Sequence, residues 1–176
     1  MEKEKVYTPE KIFEMYDQLL AREGHAEEKI LVAEDVDAAR KMFAKSIRKM
    51  GFAALEAKDG DQVIQILSKD SPRLILLDLR LPRKDGYEIL EWMQKADKIK
   101  DIPVIVCSVQ NNKQDIVKCI KMGVKAYIIK PVNYDNLKAN IYKALDITEE
   151  KMDNGSDKEE IDSLIEESIE NSECDS

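Results

Sequence analysis

Apolar positions recur along this chain in two rhythms, one of period near 3.6 and one of short unbroken runs. Ile12, Phe13, Tyr16, Leu19 and Leu20 form a first helical stripe, opened by Thr8-Pro9-Glu10 and stopped near Gly24. A hydroxyl cap, a proline at the first helical position and an acid in the first turn suit such a start. The stripe has to be covered by something: its own domain, a partner or a second copy of the chain. Lys29–Ala33 is then a short apolar run ending in Glu34-Asp35, which reads as a buried strand. Residues 37–50 return to helical period through Ala39, Met42, Phe43, Ile47 and Met50, and Gly51 suits a C-terminal cap.

The two rhythms keep alternating. Phe52–Ala57 is a weak strand, Asp59-Gly60 a turn, and Val63, Ile64 and Leu67 mark a helix. Strands follow over Leu74–Asp78, Ile102–Cys107 and Ala126–Ile129, and helices over Asp85–Ala96, Asp115–Met122 and Tyr134–Leu145. Five strands alternating with five helices predict an α/β fold, a doubly wound five-stranded parallel sheet covered on both faces. An extra N-terminal helix precedes it. Trp92 reads as helix packing, Cys107 and Cys119 as buried small hydrophobes, and His25 as a solvated residue of a linker.

Composition changes after Asp146. The formal net charge is −8, yet residues 149–176 hold twelve acids and two lysines, which is −10 and leaves +2 for the rest. Within that acidic tail Ile161, Leu164, Ile165 and Ile169 share one helical stripe. So few apolar residues among so many like charges predict a disordered or marginally helical segment. The expected organisation is an N-terminal extension over 1–27, one domain over 28–147 and the tail over 148–176.

Other function classes are narrowed by what the pattern lacks. No apolar run reaches spanning length and the charged N-terminus is unlike a signal peptide, so membrane insertion is not expected. Three cysteines without C-x-x-C spacing argue against a metal cluster or disulfide framework and suit the cytoplasm. No dense basic patch suggests nucleic acid as a partner.

Chemistry concentrates where a parallel sheet builds its sites, at the carboxyl ends of the strands. Glu34 and Asp35 follow the first strand, Asp78 the third, Ser108 the fourth and Lys130 the fifth. Asp78 closes the apolar run of "LILLDLRLPRKDG", where an unpaired carboxylate is costly. Three carboxylates on one rim call for a cation, and a hard divalent ion such as Mg²⁺ suits oxygen ligands. A carboxylate held by a metal and a lysine is equipped to attack a phosphoryl group, with Ser108 donating to a transferred oxygen. No Gly-rich Walker-type loop is present, so the donor has to bring its own phosphoryl group.

Taken together, Glu34-Asp35, Asp78 with "LRLPRKDG", Ser108 and "AYIIKP" resemble the receiver domain of two-component response regulators, over roughly residues 28–147. The resemblance implies a flavodoxin-like receiver fold. It implies Asp78 as phosphoacceptor, Asp35 and Asp78 as direct Mg²⁺ ligands, Glu34 acting through a water, and the backbone carbonyl of Arg80 as a further ligand. Ser108 and Lys130 would contact the phosphoryl group, Lys130-Pro131 would be cis, and Tyr127 would turn inward with Ser108 as a switch. A histidine kinase or histidine phosphotransfer protein would donate, and a downstream protein target would read the outcome. The expected function is that of a stand-alone signalling receiver without a DNA-binding output domain, not a turnover enzyme, and a homodimer is compatible with it.

Departures from the family pattern add expectations. Glu34 stands where aspartate is commoner, and Val109 follows Ser108 where a small residue is usual. Val109 narrows the approach to Asp78, and Arg80 would pair with Glu34 or hinder an attacking water, giving a long-lived phosphoryl state. Two other readings remain at this point: a Mg²⁺-dependent phosphohydrolase of the haloacid dehalogenase type, and a receiver-like scaffold that is never phosphorylated. The first needs a second aspartate two residues after the nucleophile, where this chain has Arg80.

Overall fold

A computed structural model describes residues 25–147, with side chains from residue 28 onward. The N-terminal helix, the acidic tail, Cys174 and the side chain of His25 lie outside the described residues. Five strands, β1 (His25–Ala33), β2 (Phe52–Ala57), β3 (Leu74–Leu77), β4 (Val104–Ser108) and β5 (Ala126–Ile129), form one sheet of order β2-β1-β3-β4-β5. Every pairing is parallel. Five helices alternate with them: α1 (Asp37–Lys49), α2 (Gly60–Leu67), α3 (Gly86–Gln94), α4 (Lys113–Lys121) and α5 (Tyr134–Ala144). The doubly wound parallel sheet expected from the alternation is observed, and with it the flavodoxin-like receiver architecture that the resemblance implied.

Strand periodicity sorts the core into two layers. Ile30, Val32, Leu74, Leu76, Ile105 and Cys107 point to one face and meet Phe43 and Ile47 of α1 and Leu137 and Ile141 of α5. Leu31, Ala33, Ile75 and Leu77 point to the other and meet Val63 of α2 and Ile89, Leu90 and Met93 of α3. The middle strand β3 is therefore apolar and buried at every position, as a strand covered on both faces must be. α4 is the exception, since Cys119 is its one buried residue, set against Leu79 and Val106.

Element ends differ from the expected ones in instructive places. β1 begins at His25, whose backbone pairs with Phe52, so this residue belongs to the sheet and not to a linker. Asp59-Gly60 starts α2, because the Asp59 carboxylate caps the helix by accepting from the Gln62 N–H at 2.8 Å. Asn112 caps α4 in the same way and moves its start two residues ahead of the expected Asp115. Asp85 and Glu88 close a reciprocal capping box on α3. Gly86 is required there for space, since a Cβ would lie 2.8 Å from both the Asp78 carbonyl oxygen and the Leu79 Cα.

Candidate functional site at the carboxyl rim

Register in the sheet delivers the rim residues together. Ala33 pairs with Leu77 and Leu77 with Val106, so the first residues beyond β1 and β3 emerge side by side. The Asp78 N–H donates to the Ala33 carbonyl at 2.9 Å, and the Lys130 N–H donates to the Ser108 carbonyl at 2.9 Å. Backbone bonds of the ladder thus extend one residue into the site and fix where each side chain starts. Lys130-Pro131 is cis, as the resemblance implied.

Lys130 stands at the centre. Its ammonium donates to Asp78 Oδ2 at 2.5 Å and also to Glu34 Oε2. Glu34 is 1% exposed and Asp78 5%, so both carboxylates are buried with a single cation between them. Burial by itself pulls the Lys130 ammonium down, but its hydrogen bonds to Asp78 and Glu34 outweigh that and hold it above the ordinary lysine value. The second oxygens are held by main chain: Asp78 Oδ1 accepts from the Arg80 N–H at 2.9 Å, and Glu34 Oε1 from the Val36 N–H at 3.2 Å. These contacts fix the carboxylates without consuming the exposed Asp35.

One oxygen each from Glu34, Asp35 and Asp78 lie within 4.8 Å of one another. Three carboxylates against one ammonium leave the rim two negative charges in excess, and all the donors are hard oxygens. That set fits a divalent cation of the Mg²⁺ kind.

Ser108 is fully buried and its hydroxyl accepts from the Gln110 N–H at 3.3 Å. Half-buried Tyr127 donates its hydroxyl to the Gln110 carbonyl at 2.8 Å, so the loop after β4 lies between the serine and the tyrosine. Val109 is exposed at the mouth of the site. Arg80 is exposed too, and Glu34 takes Lys130 and Val36 as partners, so the expected Arg80–Glu34 pair does not form. Cys107, buried under the rim, has its thiol pushed up to about 12, chiefly by burial, and is inert there.

Two features were not visible in the hydrophobic pattern. Gln110 links Ser108 to Tyr127 through its main chain, for which side-chain identity gives no signal. Tyr87 of α3 donates to Asp115 of α4 at 2.8 Å, and the Lys118 ammonium lies 3.9 Å from its ring centre. The Asn112-x-x-Asp115 capping pattern would have placed Asp115 in the first turn of α4, facing α3.

Known proteins are similar to this chain in sequence and fold. The family model described as the response regulator receiver domain matches residues 30–142. The probable transcriptional regulator ycf27 of Porphyridium aerugineum is 30% identical over 118 residues, covering 67% of this chain and 48% of that protein. The phosphate regulon transcriptional regulatory protein PhoB of Escherichia coli is 33% identical over 113 residues, covering 64% and 49%. The chain thus spans about half the length of these two relatives. Among solved structures, the signal receiver domain of a putative Luxo repressor protein from Vibrio parahaemolyticus superposes with a TM-score of 0.64. It is 25% identical, and the match covers 68% of this chain and 90% of that one.

Proposed function

The chain belongs to the response regulator receiver domain family over residues 30–142, and from that premise we propose that Asp78 accepts a phosphoryl group and so switches a protein-binding surface. Receivers of this family are signalling modules of two-component systems. The observation that carries the assignment to Asp78 is its buried carboxylate, held by Lys130 and by the Arg80 N–H at the end of β3.

The donor is a phosphohistidine of a histidine kinase or phosphotransfer protein. An Asp78 carboxylate oxygen forms the new bond to phosphorus while the phosphorus–nitrogen bond to the imidazole breaks, and the electron pair of that bond leaves on the nitrogen. Lys130 stays protonated and offsets charge on the transferred oxygens, and the Ser108 hydroxyl turns from the Gln110 N–H to donate to one of them. Asp35 and Asp78, with Glu34 through a water and the Arg80 carbonyl, would hold a Mg²⁺ ion. When bound, that ion supplies charge neutralisation at the phosphoryl oxygens.

Signal output follows from Ser108. Drawing its hydroxyl toward the phosphoryl group releases Gln110, and with it the Tyr127 hydroxyl, so that Tyr127 turns inward. The surface of α4, β5 and α5 changes and is read by a downstream protein. The site offers no second aspartate at position 80, where exposed Arg80 stands, which speaks against repeated hydrolytic turnover.

Incubation with acetyl phosphate and Mg²⁺ should add one acid-labile phosphoryl mass, absent in Asp78→Ala. An unmodified wild-type chain would make this a scaffold instead. Arg80 and Val109 tune the lifetime of that state by crowding the path of the attacking water. Arg80→Asn/Val109→Ala should therefore lose the phosphoryl group several-fold faster than the wild type, and an equal decay rate would remove both residues from the account.

A further inference from the structure

Four of the six large apolar side chains exposed among the described residues belong to one stretch of the chain, whereas Val36 and Met42 lie elsewhere. Val109, Val117, Ile120 and Ile129 all lie between the end of β4 and the end of β5, and Ile120 is 60% exposed. Along α4, Lys113, Val117 and Lys121 fall at i, i+4 and i+8, a single line on the helix. Ile120 flanks that line on one side and Lys118 on the other. A groove of about 760 Å³ runs between the line and Gln94 at the end of α3.

The charge on this face is one-sided. Residues 113–125 contain four lysines and one acid, Asp115, whose carboxylate is taken by Tyr87 and Asn112. Among the described residues no carboxylate pairs with Lys113 or Lys121. Branched apolar side chains set among unpaired ammonium groups suit an acidic amphipathic segment.

This chain carries such a segment. Residues 157–170 hold seven acids against Lys158 alone, with Ile161, Leu164, Ile165 and Ile169 at helical spacing. We propose that residues 157–170 dock on the α4 groove of their own chain, with the Ile/Leu stripe on Val117 and Met122 and the acids on Lys113, Lys118 and Lys121. The reach is sufficient. Helices of a parallel sheet run back against the strands, so the C-terminal ends of α4 and α5 lie at the same end of the domain. Nine residues separate Ile147 from Asp157, and they span up to about 34 Å, against a domain radius of gyration of about 13 Å. A tether this short places the segment at an effective concentration on the order of millimolar, so a weak contact is enough. Docked there, the segment covers part of the face through which a downstream protein would read the domain. The docking itself does not depend on Asp78 being phosphorylated.

A nitroxide on Cys174 of the full chain tests this, because Cys107 and Cys119 are buried and do not compete for the label. Amide signals of residues 113–121 and Gln94 should be selectively attenuated, with those of α1 untouched. The attenuation should persist on dilution, fade near 1 M salt where the Debye length is roughly 3 Å, and vanish in Lys113→Glu/Lys121→Glu. Adding Glu166→Lys/Glu167→Lys to that variant should restore it. Absent or uniformly spread attenuation would overturn the proposal. So would attenuation passing from spin-labelled chains to isotope-labelled, spin-free ones, since the contact would then be between two copies.

Discussion

The carboxyl rim and the α4 side of the domain are built to opposite standards. On the rim, Glu34, Asp78 and Lys130 are joined to one another and to the main chain, and the ladder bonds of β1, β3 and β5 run straight into them. On the α4 side, the helix buries Cys119 alone, whereas α1 buries Phe43, Ala44 and Ile47. The loop between β4 and α4 also leaves Gln110 Oε1 buried without a hydrogen-bond partner among the described residues. A buried polar atom in that condition is costly. The contrast has a functional logic: chemistry needs fixed groups, and a readout needs an element that moves at small cost. Ser108 joins the two regions, with its backbone in β4 and its hydroxyl on the loop.

Removing the cation should show the strength of the rim. Lys130→Met leaves Glu34 and Asp78 buried against each other, and without divalent ion the loss of stability by urea unfolding should be about 3 kcal/mol. Combining it with Asp78→Asn should recover part of that loss. A change within about 0.5 kcal/mol, the range of ordinary surface substitutions, would mean that the rim is no better fixed than α4.

Tyr87→Phe probes the other region and should do less. The Tyr87 hydroxyl, followed by the Asn112 amide, holds the Asp115 carboxyl below the usual carboxylate range. A depressed folded value means that this contribution to stability is present above the unfolded pKa, about 3.9, and disappears as pH falls through the folded value. The variant should therefore be less stable than the wild type near pH 7 and converge with it in acid. An Asp115 titration by NMR that did not move upward in Tyr87→Phe would remove this link between α3 and α4.

How far these regions could be read from sequence follows the same divide. Asp78, Ser108 and Lys130 were legible because an apolar run that stops in a polar residue marks a strand end, and strand ends in a parallel sheet share one rim. Glu34 was legible as a rim residue, but its partner was not. Arg80 was expected beside it, yet Lys130, four strands on in sequence and three positions away in the sheet, reaches it first. The starts of α2 and α4 were misplaced where the caps Asp59 and Asn112 decide them, since caps sit outside the hydrophobic period, whereas α5, capped by Asn133, begins at the expected Tyr134. The path from Ser108 to Tyr127 passes through the main chain of Gln110, and that middle link left no trace in residue types.

Hydrogen exchange with and without acetyl phosphate and Mg²⁺ tests the central claim most directly, that the fixed rim drives the loosely packed side. Exchange should change in peptides covering residues 109–132 and stay constant in α1, and Asp78→Ala should abolish the change. Protection that shifts equally in α1 and α4, or a shift that survives in Asp78→Ala, would contradict the account.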